Sequence, residues 1–125
     1  RYIGLKQLMF SEAITVANNH EFILESCIAQ ITKDLGLEID WLDERPNSVQ
    51  MIIEKLNSRL EKLLFNSERK IHQLLYAVDL NEEKLYSQMN SGDYKSLSDL
   101  LSKSIVEREL KKVIARNVYS GKLKL

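Results

Sequence analysis

The stretch SVQMIIEKLNSRLEKLLFNSERKIHQLLYAVD, residues 48–79, decides the fold. Charged pairs that begin at Glu54, Glu61 and Glu68 recur every seven residues and therefore lie on one side of a helix. The opposite side carries an apolar stripe that we expect in the core: Leu56, Leu60, Leu63, Leu64, Ile71, Leu74 and Val78. The stripe steps sideways midway, because a straight helix drifts by about 20° per heptad against a seven-residue repeat. The sequence therefore predicts one long helix over about 48–78.

Few residues elsewhere in the chain would interrupt a helix. Four glycines and one proline stand in 125 residues, and most of them fall at expected boundaries, such as Gly36 at the end of the helical pattern NNHEFILESCIAQITKDLG, residues 18–36. Residues 5–17 favour a helix but leave a strand open. Residues 37–47 alternate briefly and then carry acids and proline, so we predict a loop there that Trp41 anchors.

Helix starts are marked by capping boxes, in which a polar residue pairs with an acid or amide three positions later. We expect such caps at Asn18, Asn47 and Ser96. Beyond Ser96 the apolar face moves around the helix, and Ser104 could cap a fresh start, so residues 96–118 are either one helix held on two sides or two helices. Together these patterns predict an all-α fold, a helical bundle of about five or six helices built around the long helix.

A calcium loop is suggested by YAVDLNEEKLYSQM, residues 76–89, where oxygen-bearing side chains alternate from Asp79 onward. An EF-hand requires glycine at the sixth loop position and glutamate at the twelfth, and this chain has Lys84 and Asn90 there. A capping box of Asp79 with Glu82 explains the same residues better. We therefore expect no calcium site.

Length and composition bound the class of protein. A chain of 125 residues matches one domain, 1–125, although it begins at Arg1 and could be a fragment of a longer chain. The apolar runs are too short to span a bilayer, so we expect no membrane association. The single cysteine, Cys27, fits a reducing compartment, and we expect a cytoplasmic location.

The sequence offers little for catalysis. His72 follows Glu68 by four residues, whereas di-metal helical bundles use a Glu-x-x-His spacing of three, twice over. Cys27 lacks an orienting partner or an oxyanion site. We predict no catalytic residue, no metal and no cofactor, and keep a metal-dependent bundle enzyme as the least favoured alternative.

Charge is unevenly distributed although the net charge is zero. Residues 12–44 hold eight acids and one base, Lys33. The last sixteen residues carry five bases and no acidic side chain, and they form the candidate basic patch: Lys111, Lys112, Arg116, Lys122 and Lys124. This patch could bind nucleic acid. The simpler interpretation, that the two segments neutralise one another or face water, is favoured.

Three apolar residues lie toward the outer sides of the long helix: Phe65, Leu75 and Tyr76. A second apolar surface on one helix is covered either by other helices of the domain or by a partner. We therefore predict a non-enzymatic helical protein-interaction module that self-associates as a homodimer, with a nucleic-acid-binding helical domain as the alternative.

Overall fold

The computed structural model describes residues 8–66, 69–78 and 80–125, and the side chains of 64–71 lie outside the described set. Within these residues the chain is all-helical and contains no strand. In the described part of the chain, six α-helices and a short 3-10 turn follow in order: α1 Phe10–Asn18, α2 Glu21–Leu35, the turn Ile39–Trp41, α3 Val49–Asn66, α4 Arg69–Ala77, α5 Glu82–Met89 and α6 Leu97–Tyr119. The predicted all-α bundle is confirmed. Residues 5–17 were predicted to be helical, with a strand as the alternative. Residues 5–7 lie outside the described residues, and from Phe10 onward the stretch is helical and belongs to α1.

The longest described helix is α6, which packs most extensively against α3 and α2 and also contacts α1 and α5. It is one continuous helix of 23 residues, so Ser104 lies in its interior. Leu101 and Ile105 are buried, and so are Val106 and Leu110, which point to another side. The apolar face moves along the sequence because neighbours cover α6 on more than one side.

The stretch predicted as one helix over 48–78 is described as two helices, α3 and α4, and residues 67–68 between them lie outside the described set. Four of its predicted core residues are buried: Leu56, Leu60, Leu74 and Val78. Leu63 is only partly buried, at the edge of the core. The side chains of Leu64 and Ile71 lie outside the described residues.

The helix caps differ in part from the prediction. Ser96 Oγ accepts a hydrogen bond from the Asp99 amide at 3.1 Å, as expected. At the start of α3 the cap is Ser48 rather than Asn47, because the Met51 amide donates to Ser48 Oγ at 3.2 Å. Asn18 instead ends α1, and its Oδ1 accepts from the Val49 amide at 2.9 Å. This bond fixes the end of α1 against the start of α3.

The start of α5 also differs from the sequence expectation. Asn81 is its N-cap, and Asn81 Oδ1 accepts from the Lys84 amide at 3.1 Å. Asp79, the predicted cap, lies outside the described residues. The helix therefore begins at Glu82, and that acid stands in its first turn, where the helix dipole favours a negative charge.

The loop between α2 and α3 is anchored as predicted. Trp41 is buried, and its indole N–H donates to Thr32 Oγ1 at 2.8 Å. Gly36 ends α2 with φ of 61°, a left-handed conformation that glycine adopts without strain. None of the described helices combines the length and the apolar composition that crossing a membrane would require.

Candidate interaction surface

An apolar groove of about 280 Å³ opens between α4, α5 and the beginning of α6. We call it the tyrosine groove, and seven residues line it: His72, Leu75, Glu82, Leu85, Tyr86, Leu97 and Leu101. The four leucines are buried or half-buried and form its floor. The other three residues form its rim. The groove is therefore an apolar hollow with polar and aromatic edges.

The local sequence explains why these residues meet. On α5, Glu82, Leu85 and Tyr86 are three and four residues apart and so share one side of the helix. The turn before α5 is closed by the Leu80 amide, which donates to the Leu75 carbonyl at 2.9 Å. This turn brings α5 back toward α4, so that both helices border the groove.

Glu82 connects the two helices at the rim. Its Oε1 lies 3.2 Å from His72 Nδ1 on α4, and it accepts a hydrogen bond from the Tyr86 hydroxyl at 3.5 Å. These contacts hold Tyr86 at the edge of the groove while leaving its ring 60% exposed. Tyr76 stands one turn beyond His72 on α4 and is 90% exposed. Tyr86 is thus exposed at the rim of the groove, and Tyr76 is exposed on α4 without lining the groove.

The structure separates the three interface candidates. Tyr76 is at the surface, Leu75 is only 6% exposed and belongs to the groove floor, and the side chain of Phe65 lies outside the described residues. Tyr86 was missed by the sequence analysis. Its signal was present, since it directly follows the buried Leu85 on a short amphipathic helix and therefore borders the buried side.

The basic-patch candidates are mostly engaged within the chain. Lys111 Nζ lies 2.7 Å from Glu107 Oε2 on the same helix. Two others reach α2, in the acidic segment: Lys112 Nζ lies 3.5 Å from Asp34 Oδ2, and Arg116 Nη2 donates to Gln30 Oε1 at 3.0 Å. Lys122 and Lys124 follow α6 and are exposed. The acidic and basic segments therefore meet in part within the fold.

A buried acid, which the sequence analysis also missed, lies between α2 and α6. The Glu109 side chain is fully buried, and neither carboxyl oxygen has a hydrogen-bond partner. Lys112 Nζ lies 3.6 Å from Glu109 Oε2. The signal in the sequence is position, because Glu109 stands four residues from both Ile105 and Val113 and so falls on a buried side of the helix.

The environment of Glu109 changes its protonation and that of its neighbours. Burial, together with the adjacent carboxyl of Asp34, raises the pKa of Glu109 to about 7. Burial also raises the pKa of Asp34, but hydrogen bonds from Gln30 and the charge of Lys112 outweigh this and lower the pKa below its usual value. Burial raises the pKa of the Cys27 thiol to about 12, so this thiol stays protonated.

Metal-binding chemistry finds no support in the described residues. Among them, no group of three or more His, Cys, Asp or Glu side chains converges as metal ligands would. Glu68, whose pairing with His72 was considered, lies outside the described residues. His20 Nδ1 is 2.8 Å from the Val16 carbonyl in the turn before α2, so that histidine has a structural contact.

Comparisons with known proteins gave no match to a family model, a curated protein or a solved structure.

Proposed function

We propose that this protein is a non-enzymatic helical interaction module that forms a homodimer through the tyrosine groove. The observation that carries the proposal is a pair of exposed tyrosines: Tyr86 lines the groove and is 60% exposed, and Tyr76, which follows the groove residue Leu75 in sequence, is 90% exposed. Large aromatic side chains at the edge of an apolar hollow are typical binding anchors, because each buries much area at small entropic cost.

A second copy of the chain is the occupant that symmetry favours. In a two-fold dimer each copy presents the same surface, so a protruding tyrosine of one copy can enter the groove of the other and receive a tyrosine in return. The hydroxyl groups would stay at the wet edge of such a contact, near the polar rim formed by His72 and Glu82. A cytoplasmic location belongs to the same proposal and is supported by the single, fully buried Cys27.

Light scattering behind a sizing column tests the dimer at tens of micromolar protein. We expect a dimer for the wild type and a monomer for the double variant Tyr76→Asp with Tyr86→Asp, because a buried carboxylate without a partner opposes association. Moderate salt should weaken the dimer only slightly, because apolar contact supplies the affinity.

Met9→Asp is the matched control, because Met9 is 63% exposed and precedes α1, outside the groove. This variant should remain a dimer. A monomeric wild type would remove the proposal, and a dimer that survives both tyrosine substitutions would show that the groove is not the interface. Circular dichroism of each variant shows whether the helices are retained.

A further inference from the structure

Three ionisable groups join α2 to α6 in a partly buried cluster. Lys112 Nζ lies 3.5 Å from Asp34 Oδ2 and 3.6 Å from Glu109 Oε2, so one ammonium group lies between two carboxyl groups. Glu109 is fully buried and its oxygens have no donor. When both acids are ionised, the cluster has two negative charges and one positive charge, and a buried carboxylate that lacks a donor is costly.

We propose that Asp34, Glu109 and Lys112 form a proton-operated latch between α2 and α6. When Glu109 holds a proton, its carboxylic acid O–H donates to the carboxylate of Asp34, and Lys112 balances the one remaining negative charge. When Glu109 releases that proton to water, the donor is lost and a net negative charge remains between the helices. The packing of α2 against α6 then weakens.

Solvent can supply and remove the proton at the edge of this cluster. The side chains of Lys112 and Asp34 are 42% and 17% exposed, whereas Glu109 is 0% exposed. Asp34 therefore stands between the buried acid and water. A proton can reach Glu109 by way of the Asp34 carboxyl without global unfolding of the chain.

The latch depends on groups from each element around it. On α2, Asp34 acts on Glu109, the charge of Glu109 acts on the Cys27 thiol, and Gln30 Nε2 donates to both Asp34 oxygens at 3.0 Å. Arg59 of α3 borders the same cleft as Asp34, with Lys33 and Glu38 beside it. The remaining residues that α1 and α3 bury are apolar: Ala13, Ala17, Val49, Ile52, Ile53, Leu56 and Leu60. No other titratable side chain is therefore buried against α6 from these two helices, within the described residues.

The direction of the pH effect follows from which state holds more protons. The pKa of Glu109 is about 7 in the folded chain and near its ordinary value of 4.5 in the unfolded chain. Between these two values the folded state binds the extra proton, so stability falls as pH rises and levels off above about pH 7. Asp34 has the opposite effect on stability, and only at lower pH. Its pKa is lowered in the folded chain, so its stabilising contribution is lost as pH falls through that lowered value.

Urea unfolding at a series of pH values tests the latch, at one fixed protein concentration. For the wild type we expect the unfolding equilibrium constant to rise by up to about tenfold per pH unit between about pH 5 and 7. Glu109→Gln keeps the shape and supplies an amide donor at every pH, so its profile should be flat over this range. In Asp34→Asn the decrease in stability should end at a lower pH than in the wild type, because the second carboxyl no longer opposes ionisation of Glu109.

Glu107→Gln is the matched control, since Glu107 lies on the same helix but is 39% exposed and pairs with Lys111. Its profile should follow the wild type. Parallel profiles for the wild type and Glu109→Gln would overturn the latch. If Glu109→Gln fails to fold, carbon-13 NMR titration of the wild-type glutamate carboxyls decides, and titration of Glu109 in its ordinary range near 4.5 would reject the proposal.

Cys27 offers a separate readout of loosening, because its thiol is fully buried. The quantity to measure is the ratio of the alkylation rate of Cys27 to that of an unstructured cysteine peptide at the same pH. This ratio corrects for the ionisation of the thiol. We expect this ratio to rise from pH 5 to 8 in the wild type and to stay constant in Glu109→Gln. An equal rise in both would contradict the latch.

Discussion

Leu60 and Leu63 stand three residues apart on the same stripe of α3, yet their burial differs. Leu60 is 0% exposed, whereas Leu63 is partly buried and borders the cleft that Asp34 and Arg59 also line. Truncating a fully enclosed side chain loses its contacts and leaves a cavity, while a site at the edge can be filled by water. We therefore expect truncation of Leu60 and truncation of Leu63 to cost different amounts of stability.

Leu60→Ala should lower the free energy of unfolding by about 2 to 5 kcal/mol, and Leu63→Ala by less than about 2 kcal/mol. Urea denaturation of the wild type and both variants measures this difference directly, and each variant is the control for the other. Equal losses would mean that the region around Leu63 is packed as tightly as that around Leu60.

The periodicity of the sequence predicted which side of α3 is apolar but not how deeply each residue is buried. Burial depth depends on what covers a position, and the covering residues come mainly from α6 and also from α1, both of which are distant in sequence. The same reason explains the two missed residues of the candidate sites. Tyr86 and Glu109 acquire their roles from helices that pack beside them, and a single helical pattern carries no information about those neighbours.

At the scale of elements, α6 shows how tertiary packing resolves an ambiguous pattern. Ser104 and Glu107 have the spacing of a capping box, but Ser104 lies within a helix that continues from Leu97 to Tyr119. A capping box requires an extended residue at its start, and burial on both sides of Ser104, at Leu101 and Ile105, favours continuity instead. The sequence therefore predicted helix here correctly and could not decide the number of helices.

Substitution of Ser104 by proline tests this continuity. Proline removes a backbone donor and clashes with the preceding turn, so Ser104→Pro should lower the free energy of unfolding by about 3 kcal/mol or more. Ser104→Ala is the control and should change it by no more than about 0.5 kcal/mol, since alanine favours helices. Thermal or urea unfolding measures both, and a well-tolerated proline would place a helix boundary at this position.

At the scale of the whole molecule, the charge distribution is less polarised than the sequence suggests. Arg45 pairs with Glu21 at 2.8 Å and with Glu25, and Lys112 reaches Asp34 across the bundle. The count of acids and bases was readable from the sequence. The individual partners were not, because the Lys112–Asp34 pair depends on α2 and α6 lying side by side and the Arg45 pairs depend on how the loop after α2 folds back on that helix.

This pairing predicts weak binding to nucleic acid. The logarithm of the binding constant falls with the logarithm of salt concentration by about 0.9 for each phosphate neutralised. With Lys111, Lys112 and Arg116 engaged within the chain, we expect a slope no steeper than about −2, from Lys122 and Lys124. Fluorescence anisotropy with labelled duplex DNA measures the slope, and Lys112→Ala should leave it unchanged. A slope near about −4.5 would show that all five residues of the patch bind.

The position of α6 also has a consequence for synthesis on the ribosome. The helices α1 to α5 are made first, and the side of α2 and α3 that α6 covers must wait for residues 97–119 to leave the exit tunnel. Until then Ile31 and Leu56 lack their final neighbours, although both are fully enclosed in the finished fold. The nascent chain thus passes through a stage with exposed apolar surface, in which a chaperone or a neighbouring nascent chain can compete with α6.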